Sequence, residues 1–149
     1  MNAIAEQSAR VRPANELDHD VLIVGAGISG MYQLLLLRRL GMRVQVFEAG
    51  TGVGGTWYWN RYPGARFDSE SWSYGFSFDQ ELLDEWDWTE NFAPQPETER
   101  YLNHFADKFD LRRDIRFSSR VTAAHWDDDG RFGTLPLEDG GRHTARFLV

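Results

Sequence analysis

Hydrophobic residues near the N-terminus follow the pattern of a strand, a helix and a second strand. DVLIVG, residues 20–25, is a continuous apolar run rich in branched side chains, which is typical of a strand buried on both faces of a parallel sheet. ISGMYQLLLLRRLG, residues 28–41, spaces a methionine and several leucines along one helical face and ends in a capping glycine, Gly41. RVQVFE, residues 43–48, alternates as a second strand does. Together these elements predict a right-handed βαβ unit.

Three further patterns follow along the chain. Residues 50–95 are rich in glycine and aromatic side chains and are too long for a plain connection, which indicates that part of this segment lines a ligand. Residues 96–109 place apolar side chains at helical spacing and predict an amphipathic helix. Residues 115–149 contain the short apolar stretches IRF, VTAAHW, TLPL and TARFLV between turn sequences, which predicts a β-meander. Pro136 would place the TLPL strand at an edge or a bulge.

These elements predict the fold class α/β: a Rossmann-like βαβ domain with a parallel sheet, helices and a small β-meander, incomplete as given. The chain has 149 residues and 42% apolar content, enough for one domain with a buried core. We expect the last stretch, TARFLV, to leave an exposed strand edge that favours aggregation.

Charge and composition exclude several classes of partner. The net charge of −7 is spread along the chain, which argues against binding to nucleic acid. The sequence has no cysteine, and its four histidines are far apart, so we assign no metal site. The absence of cysteine fits a reducing compartment, and we expect a cytoplasmic protein. The longest apolar run, residues 34–37, is too short to cross a membrane, and residues 1–19 are predicted to be a flexible leader without a signal sequence.

The strongest chemical motif is GAGISG, which lies between the first predicted strand and the helix. In such a motif Gly25 makes the tight turn, Gly27 lets the backbone approach a pyrophosphate, and Gly30 allows the helix to pack closely on the strand. The free amides and the positive end of the helix dipole favour a diphosphate. Ser29, in the first helical turn, adds a possible hydroxyl donor.

An acidic residue ends the second predicted strand. Glu48 follows the glycine motif by about 20 residues, where a carboxylate can accept hydrogen bonds from ribose hydroxyls and would repel a 2′-phosphate. The motif and Glu48 therefore predict a site for FAD or NAD rather than NADPH. The residues by themselves leave the choice between FAD and NAD open.

Four stretches, DVLIVGAGISG, GGTWYWNRYPGARFD, SFDQELLDEWDW and DLRRDIRF, resemble the N-terminal region of Baeyer-Villiger monooxygenases, flavoproteins of the phenylacetone and cyclohexanone monooxygenase type. The resemblance runs from about residue 19 to the end and implies FAD. It implies that the stretch from Gly54 to Trp57 lies along the flavin, with Gly55, Thr56 and Trp57 as cofactor-binding residues. It further implies a carboxylate beside the reactive ring at Asp68, the one catalytic residue assigned, a flavin contact at Tyr74 and an adenine contact at Val121.

The resemblance also implies a reaction. Family members use FAD and NADPH with dioxygen to insert oxygen beside a ketone carbonyl, giving an ester or a lactone. Asp68 would set the charge near the flavin and orient an arginine from a later part of the chain. We find no second GxGxxG for NADPH and no FxGxxxHxxxW fingerprint in the sequence, so residues 20–149 are predicted to be the truncated N-terminal part of an FAD-binding domain, inactive alone.

Several alternatives remain open at this point. The chain could be a non-catalytic dinucleotide-binding or interaction remnant, or part of an NAD-linked dehydrogenase. Individual residues also have purely structural interpretations: aromatic core for Trp57, Trp59 and Tyr62, ion pairs for Arg61 and Arg66, and core packing, which we predict, for Trp86 and Trp88.

Overall fold

The computed structural model describes residue 13 and residues 16–149, and its strands form one mixed sheet. The strands are β1 (His19–Val24), β2 (Val44–Phe47), β3 (Ile115–Arg116), β4 (His125–Asp127), β5 (Phe132–Pro136) and β6 (Arg142–Leu148). Their order across the sheet is β3-β2-β1-β6-β5-β4, with parallel pairing from β3 to β6 and antiparallel pairing from β6 to β4. The α/β, Rossmann-like fold class is confirmed, with a sheet that is mixed rather than wholly parallel.

The helices are α1 (Ile28–Arg39), α2 (Thr56–Trp59), α3 (Ser71–Tyr74), α4 (Gln80–Asp84) and α5 (Gln95–Lys108), and a short 3₁₀ turn spans Arg112–Asp114. The two long helices, α1 and α5, are the two that the sequence predicts, and their ends agree within two residues. Within the described residues no helix combines the length and apolar character needed to cross a membrane.

The βαβ unit forms as its sequence pattern requires. Residues 21–23 of β1 are almost fully buried, and β1 pairs in parallel with β2 from Val21 opposite Val44 onward. Helix α1 buries Met31, Leu34 and Leu35 in the core on one side of the sheet. After α1, Gly41 adopts a positive φ of 77°, which ends the helix as a left-handed residue that favours glycine.

The leader prediction is wrong at its C-terminal end. Most of residues 1–19 lie outside the described residues, but the last of them belong to the fold. Leu17 is buried, and the Asp18 carboxylate accepts hydrogen bonds of 2.8 Å from both the amide and the hydroxyl of Thr144. His19 then begins β1. These contacts attach the start of β1 to β6, a partner that is remote in sequence.

The meander prediction needs two corrections. The IRF stretch is not part of the meander, because Ile115 and Arg116 form β3 and pair in parallel with β2. The TLPL strand is not an edge, because β5 lies between β4 and β6. Pro136 is tolerated there because it is the last residue of β5 and lies beyond the final pair with β4, His125 opposite Thr134.

The prediction of an exposed edge at TARFLV is also wrong. Strand β6 lies inside the sheet, where β1 and β5 pair with it on its two sides. The Val149 amide continues this pairing by donating to the Leu22 carbonyl at 2.9 Å. The two edge strands of the described sheet are β3 and β4, which have two and three residues, and such short edges offer few groups for pairing with another chain.

Two hydrophobic clusters hold the layers together. The larger cluster joins the sheet to α1, to α5 and to the aromatic segment between residues 50 and 95. Trp86 and Trp88 pack against it, which confirms the core packing predicted for them. The smaller cluster contains Leu22, Phe47, Leu135, Leu137 and Ala145, drawn from β1, β2 and the meander. The aromatic segment is therefore partly core and partly free to line a site.

Candidate functional site

The turn between β1 and α1 depends on two of its glycines for its shape. Gly25 has a φ of +95°, and its amide donates to the Phe47 carbonyl at 2.8 Å, so the chain turns sharply at the end of β1. A Cβ on Gly30 would overlap the Gly25 carbonyl oxygen, so any larger residue would push α1 away from the turn. Both positions need glycine for the fold itself.

Gly27 differs from Gly25 and Gly30, because the fold itself does not require glycine there. The protein does not fill the space beside it. A Cβ at this position would meet nothing closer than the Gly55 Cα at 3.5 Å, an ordinary contact. Gly27 is also the N-cap of α1, and no side chain caps the helix there. The first helical bond runs from the Met31 amide to the Gly27 carbonyl, so the preceding amides lack helical partners. An uncapped, positive helix end beside open space is suited to an anionic group.

A second glycine-rich loop rests directly on this turn. The Gly54 amide donates to the Ala26 carbonyl at 3.0 Å, and Gly54 and Gly55 both have positive φ angles. A Cβ on Gly55 would lie only 2.8 Å from the Gly27 Cα, which is too close. The second loop therefore needs glycine at position 55, where it contacts the first loop, and α2 starts from this contact at Thr56.

The spacing GxGxxG also occurs at residues 50–55, GTGVGG, so the expectation that the sequence contains no second match is wrong. The glycines of this second match are explained by the packing of Tyr58 against them. A Cβ on Gly50 or Gly52 would approach the Tyr58 ring to 2.6 Å or 3.0 Å, and the Tyr58 hydroxyl lies 2.8 Å from the Thr51 hydroxyl. Because Tyr58 fills the space beside Gly50 and Gly52, these glycines do not form a second phosphate cradle.

Glu48 is buried and holds three parts of the site together. Its side-chain oxygens accept hydrogen bonds of 2.7 Å from the Ala26 amide and from the Gly50 amide. Its carbonyl accepts from the Ser119 amide at 2.8 Å. Glu48, which the sequence predicts to bind a ribose, thus already accepts hydrogen bonds from the chain's own backbone. A carboxylate oxygen has a second lone pair, so Glu48 keeps some capacity to accept from a ligand.

Three adjoining cavities form one groove along the two glycine loops, which we call the central groove. The first, of about 390 Å³, lies over the glycine turn and the start of α1. The second, of about 450 Å³, extends toward Glu48 and Val121. The third, also of about 450 Å³, extends toward Asp68. Thr56 lines all three, which places it at their junction.

Every site residue predicted from the sequence lies on the central groove. The residues are Gly25, Gly27, Ser29, Gly30, Glu48, Gly55, Thr56, Trp57, Asp68, Tyr74 and Val121. They come from six places along the chain, and the fold brings them together. Their individual roles remain predictions.

The wall between the first and third cavities is aromatic. Trp57 is buried, and its indole Nε1 donates a hydrogen bond of 2.7 Å to the Tyr74 hydroxyl. The Tyr74 ring stacks on Phe67 with a centroid distance of 4.2 Å and an interplanar angle of 5°. Burial raises the pKa of Tyr74 above its ordinary value, which keeps the phenol protonated at neutral pH. Asp68 lies nearby and is exposed in the third cavity.

The structure also tests the purely structural interpretations of the aromatic residues and arginines between residues 57 and 66. Trp57 belongs to the core, whereas Trp59 and Tyr62 are more than half exposed on the groove walls. Arg61 pairs with Glu99, and Arg66 pairs with Glu90 at 2.9 Å, so both arginines form the ion pairs considered as alternatives.

Sequence reasoning missed three polar residues of the groove. Asn60 lines the second and third cavities, and Ser119 and Arg120 line the second. Ser119 and Arg120 directly precede Val121 in the sequence, so adjacency to a predicted contact was the available signal. Among the described residues no cluster of three histidine or acidic side chains could hold a metal ion.

The sequence is similar to a known domain family and to known monooxygenases. A family model described as an NAD(P)-binding Rossmann-like domain matches residues 23–85. The chain is 47% identical over 130 residues to the acetone monooxygenase (methyl acetate-forming) of a Gordonia species, covering 87% of this chain and 24% of that protein. It is 37% identical over 137 residues to cyclohexanone 1,2-monooxygenase from an Acinetobacter species, covering 91% and 25%.

Solved structures agree with the sequence comparison. An oxidized steroid monooxygenase bound to NADP superimposes with a TM-score of 0.85 at 55% identity, over 87% of this chain and 25% of that one. A complex of OTEMO with FAD and NADP superimposes with a TM-score of 0.84 at 47% identity, over 89% and 25%. The chain thus spans about a quarter of the length of the relatives that it matches. By sequence and by fold, it is related to the N-terminal quarter of the Baeyer-Villiger type monooxygenases, which confirms the family resemblance of its motifs.

Proposed function

We propose that residues 20–149 form the N-terminal part of the FAD-binding domain of a flavin-dependent Baeyer-Villiger ketone monooxygenase. The observation that carries the proposal is the central groove, which joins the glycine turn to Glu48 and Val121 on one side and to Asp68 on the other. A diphosphate in the middle of such a groove would leave a nucleoside at one end and a ring system at the other, as in FAD.

The shape of the groove fits a diphosphate. Gly27 leaves open space where a side chain would intrude, and it caps a 12-residue helix without a side-chain oxygen of its own. No acidic residue lies in the first turn of α1, so that turn carries no charge of its own that would repel an anion. An FAD diphosphate would receive the free amides of this turn, with Ser29 as an additional donor.

The second cavity favours FAD over NADPH in this groove. Its buried carboxylate, Glu48, would oppose a 2′-phosphate, whereas it could accept from unmodified ribose hydroxyls. Val121 lies in the same cavity and would provide backbone contacts to the adenine. One structural relative, OTEMO, has been solved with FAD alone and with FAD and NADP, and these complexes support FAD as the ligand of this segment.

The remaining residues would orient the ring end of the cofactor. When bound, FAD supplies the redox and oxygen chemistry, and the protein supplies position and electrostatics. Gly55 and Thr56 would contact the cofactor along α2, and Trp57 and Tyr74 would form the wall beside its ring. Asp68 would place a negative charge next to that ring and orient a cationic partner from elsewhere in the protein.

We further propose that ketone oxygenation, giving an ester or a lactone, is the activity of a longer protein. The names of two relatives, an acetone and a cyclohexanone monooxygenase, support a ketone as substrate. NADPH and dioxygen would be the co-substrates, with the NADPH site outside this groove. A cytoplasmic location belongs to the same proposal and rests on the cysteine-free sequence.

Titration of the purified chain with FAD tests the proposal. We expect saturable quenching of flavin fluorescence, because Trp57 and Tyr74 line the groove beside the proposed ring position. NAD titrated in parallel should compete weakly or not at all. Binding of NAD with exclusion of FAD would support an NAD-linked role, and binding of neither would support a scaffold role. Either result contradicts the proposal.

A further inference from the structure

The Arg116 side chain connects an edge strand of the sheet to β6 and to the turn between β5 and β6. Its guanidinium donates to the Asp139 carboxylate at 2.8 Å and to the His143 Nε2 at 3.2 Å. Arg116 belongs to β3 and His143 to β6, with β2 and β1 between them in the sheet, while Asp139 lies in the turn. We call these two hydrogen bonds the Arg116 brace.

The β5–β6 turn is the backbone partner of a segment that lines the second cavity. The Glu138 amide donates to the Arg120 carbonyl at 2.9 Å, and the Thr122 amide donates to the Pro136 carbonyl at 3.0 Å. Between these two bonds, Arg120 and Val121 line the second cavity. The turn therefore acts on the cavity through the backbone on either side of Val121.

Asp139 also fixes the shape of the turn. Its other carboxylate oxygen accepts from the Gly141 amide at 2.8 Å, and Gly140 has a positive φ of 88°. Leu137, at the start of the turn, is buried in the smaller hydrophobic cluster. Because the burial of Leu137 also supports the turn, we expect the loss of the brace to loosen the turn without unfolding it.

The bond from Arg116 to His143 requires a neutral imidazole. A guanidinium has only donors, so the His143 Nε2 is the acceptor and carries no proton. Protonation at Nε2 replaces the acceptor with a donor and places a second positive charge beside Arg116. Since histidine changes its charge between about pH 5 and pH 8, mild acid removes this half of the brace.

The other charged and titratable groups around His143 come from β1, from the residue before it and from the β5–β6 turn. The His19 ring centroid lies 6.2 Å from that of His143, and Asp18 also faces the imidazole. Asp139 shares Arg116 with His143. A positive charge on His143 would be attracted to Asp18 and repelled by Arg116, so protonation draws the imidazole away from the brace.

We infer that Arg116 is a positioning residue for the second cavity and that His143 makes its action dependent on pH. With His143 neutral, the brace holds the β5–β6 turn, and the turn holds Val121 against a nucleoside in the cavity. With His143 protonated, Arg116 loses one of its two partners and holds the turn less firmly. The effect on FAD rests on the proposed function, whereas the effect on the turn does not.

Two variants and two matched controls test this inference on the full 149-residue chain. Arg116→Gln removes the ion pair with Asp139. His143→Gln keeps an acceptor for Arg116 but takes up no proton. Arg142→Gln, exposed on the same strand as His143, controls for the loss of a positive charge. His125→Gln, exposed on β4, controls for the loss of a histidine.

Amide hydrogen exchange without FAD measures the turn directly. The Thr122 and Glu138 amides report on the turn, and the Leu111 amide, which donates to the Ala106 carbonyl after α5, is the reference. Arg116→Gln should lower the protection of the first two amides about two- to fivefold, the effect expected from losing one exposed ion pair. Arg142→Gln should leave all three protection factors unchanged.

The same amides test the dependence on pH, with each protection factor corrected for the intrinsic exchange rate. The braced form binds one proton fewer at His143 than the released form, so acid favours release. Lowering the pH from about 8 to about 5 should reduce protection in the wild-type chain and in His125→Gln but not in His143→Gln. Affinity for FAD, measured by fluorescence titration, should fall in Arg116→Gln by about two- to fivefold as well.

The outcomes separate this inference from the proposed function. Wild-type protection in Arg116→Gln would overturn the positioning role, and so would an equal loss at Leu111, because the whole fold would then have loosened. A pH effect that persists in full in His143→Gln would overturn the role of His143. Wild-type FAD affinity in Arg116→Gln would overturn the action on the cavity. Failure of the wild-type chain to bind FAD would overturn the proposed function, and hydrogen exchange would still decide on the brace.

Discussion

At the scale of single residues, the glycines of one motif have different requirements. Gly30 is needed because a Cβ would overlap the Gly25 carbonyl, whereas Gly27 faces space that the protein leaves open. Packing alone thus explains why position 30 is glycine, whereas the glycine at position 27 is explained chiefly by a bound ligand. This contrast makes the two positions a matched pair for mutation.

Gly27→Ala should preserve stability and damage binding. We expect a change in the free energy of unfolding below about 1 kcal/mol, since the new Cβ meets only the Gly55 Cα at 3.5 Å. Affinity for FAD should fall at least tenfold, because the methyl group occupies the approach of the diphosphate. Urea unfolding and fluorescence titration measure the two effects. A Gly27→Ala chain with wild-type affinity would show that the phosphate lies elsewhere.

Gly30→Ala should show the opposite balance. The overlap with the Gly25 carbonyl must be relieved by moving α1, which we expect to cost about 1 to 3 kcal/mol of stability. The midpoint of urea unfolding measures this cost with no ligand present. A stability equal to that of wild type would mean that α1 can shift freely, contrary to the close packing described above.

Glu48 should prove important to the empty protein as well as to a bound ligand. Glu48→Ala leaves the Ala26 and Gly50 amides without their acceptor, and we expect a loss of about 2 to 4 kcal/mol in the free energy of unfolding. Glu48→Gln keeps one acceptor oxygen and should lose less. Urea unfolding of both variants without FAD is the measurement. If Glu48→Ala is as stable as wild type, the buried carboxylate serves only the ligand.

At the scale of elements, the pairing of β1 with β6 begins beside two histidines. The ring centroids of His19 and His143 lie 6.2 Å apart, and the buried Nδ1 of His19 has no hydrogen-bond partner. Asp18, Asp20 and Arg43 also face His19. Burial, followed by the proximity of His143, lowers the pKa of His19 below its ordinary value of about 6.5.

This lowered pKa predicts a loss of stability in acid. Between the folded and unfolded pKa values the unfolded chain binds more protons, so stability rises with pH in that window and falls as the pH drops below about 6.5. Thermal unfolding from about pH 8 to pH 5 measures the effect. His19→Phe should flatten the dependence, whereas the exposed His125, changed to Phe, serves as the control. An unchanged slope in His19→Phe would assign the dependence to other groups.

At the scale of the whole molecule, the described residues contain one groove that we propose for a dinucleotide. The second GxGxxG match, residues 50–55, is occupied at Gly50 and Gly52 by the packing of Tyr58. Oxygenation of a ketone by dioxygen at the expense of NADPH needs this hydride donor held against the flavin, and such proximity contributes about 7 to 11 kcal/mol to lowering a barrier. In the proposed function the central groove holds the flavin and not that donor.

The 149-residue chain, even saturated with FAD, should therefore form no ester or lactone. The test is incubation with FAD, NADPH and cyclohexanone or phenylacetone, followed by gas chromatography, with free FAD as the reference. Product above the reference would show that these residues suffice for the reaction. The FAD titration proposed above runs alongside, so that absence of product can be separated from absence of cofactor.

Local pattern was enough to predict the βαβ unit and the site residues along it. Strand β1, helix α1 and strand β2 follow directly from runs of apolar residues, and Gly41 ends the helix as its type predicts. These features depend on neighbours within a few residues, where periodicity and glycine conformation act. The resemblance in GGTWYWNRYPGARFD added Asp68 and Tyr74, which no periodicity would have placed at the groove.

Tertiary structure alone decided the partners of the late strands and of Glu48. Nothing in IRF or TARFLV tells that β3 joins β2 or that β6 lies between β1 and β5, because a strand's neighbour depends on contacts far away in sequence. Glu48 could be predicted to end a strand, but the two backbone amides that donate to its carboxylate come from separate loops. Sequence therefore determined which residues are suited to the groove, and folding decided which of them the protein also needs to hold itself together.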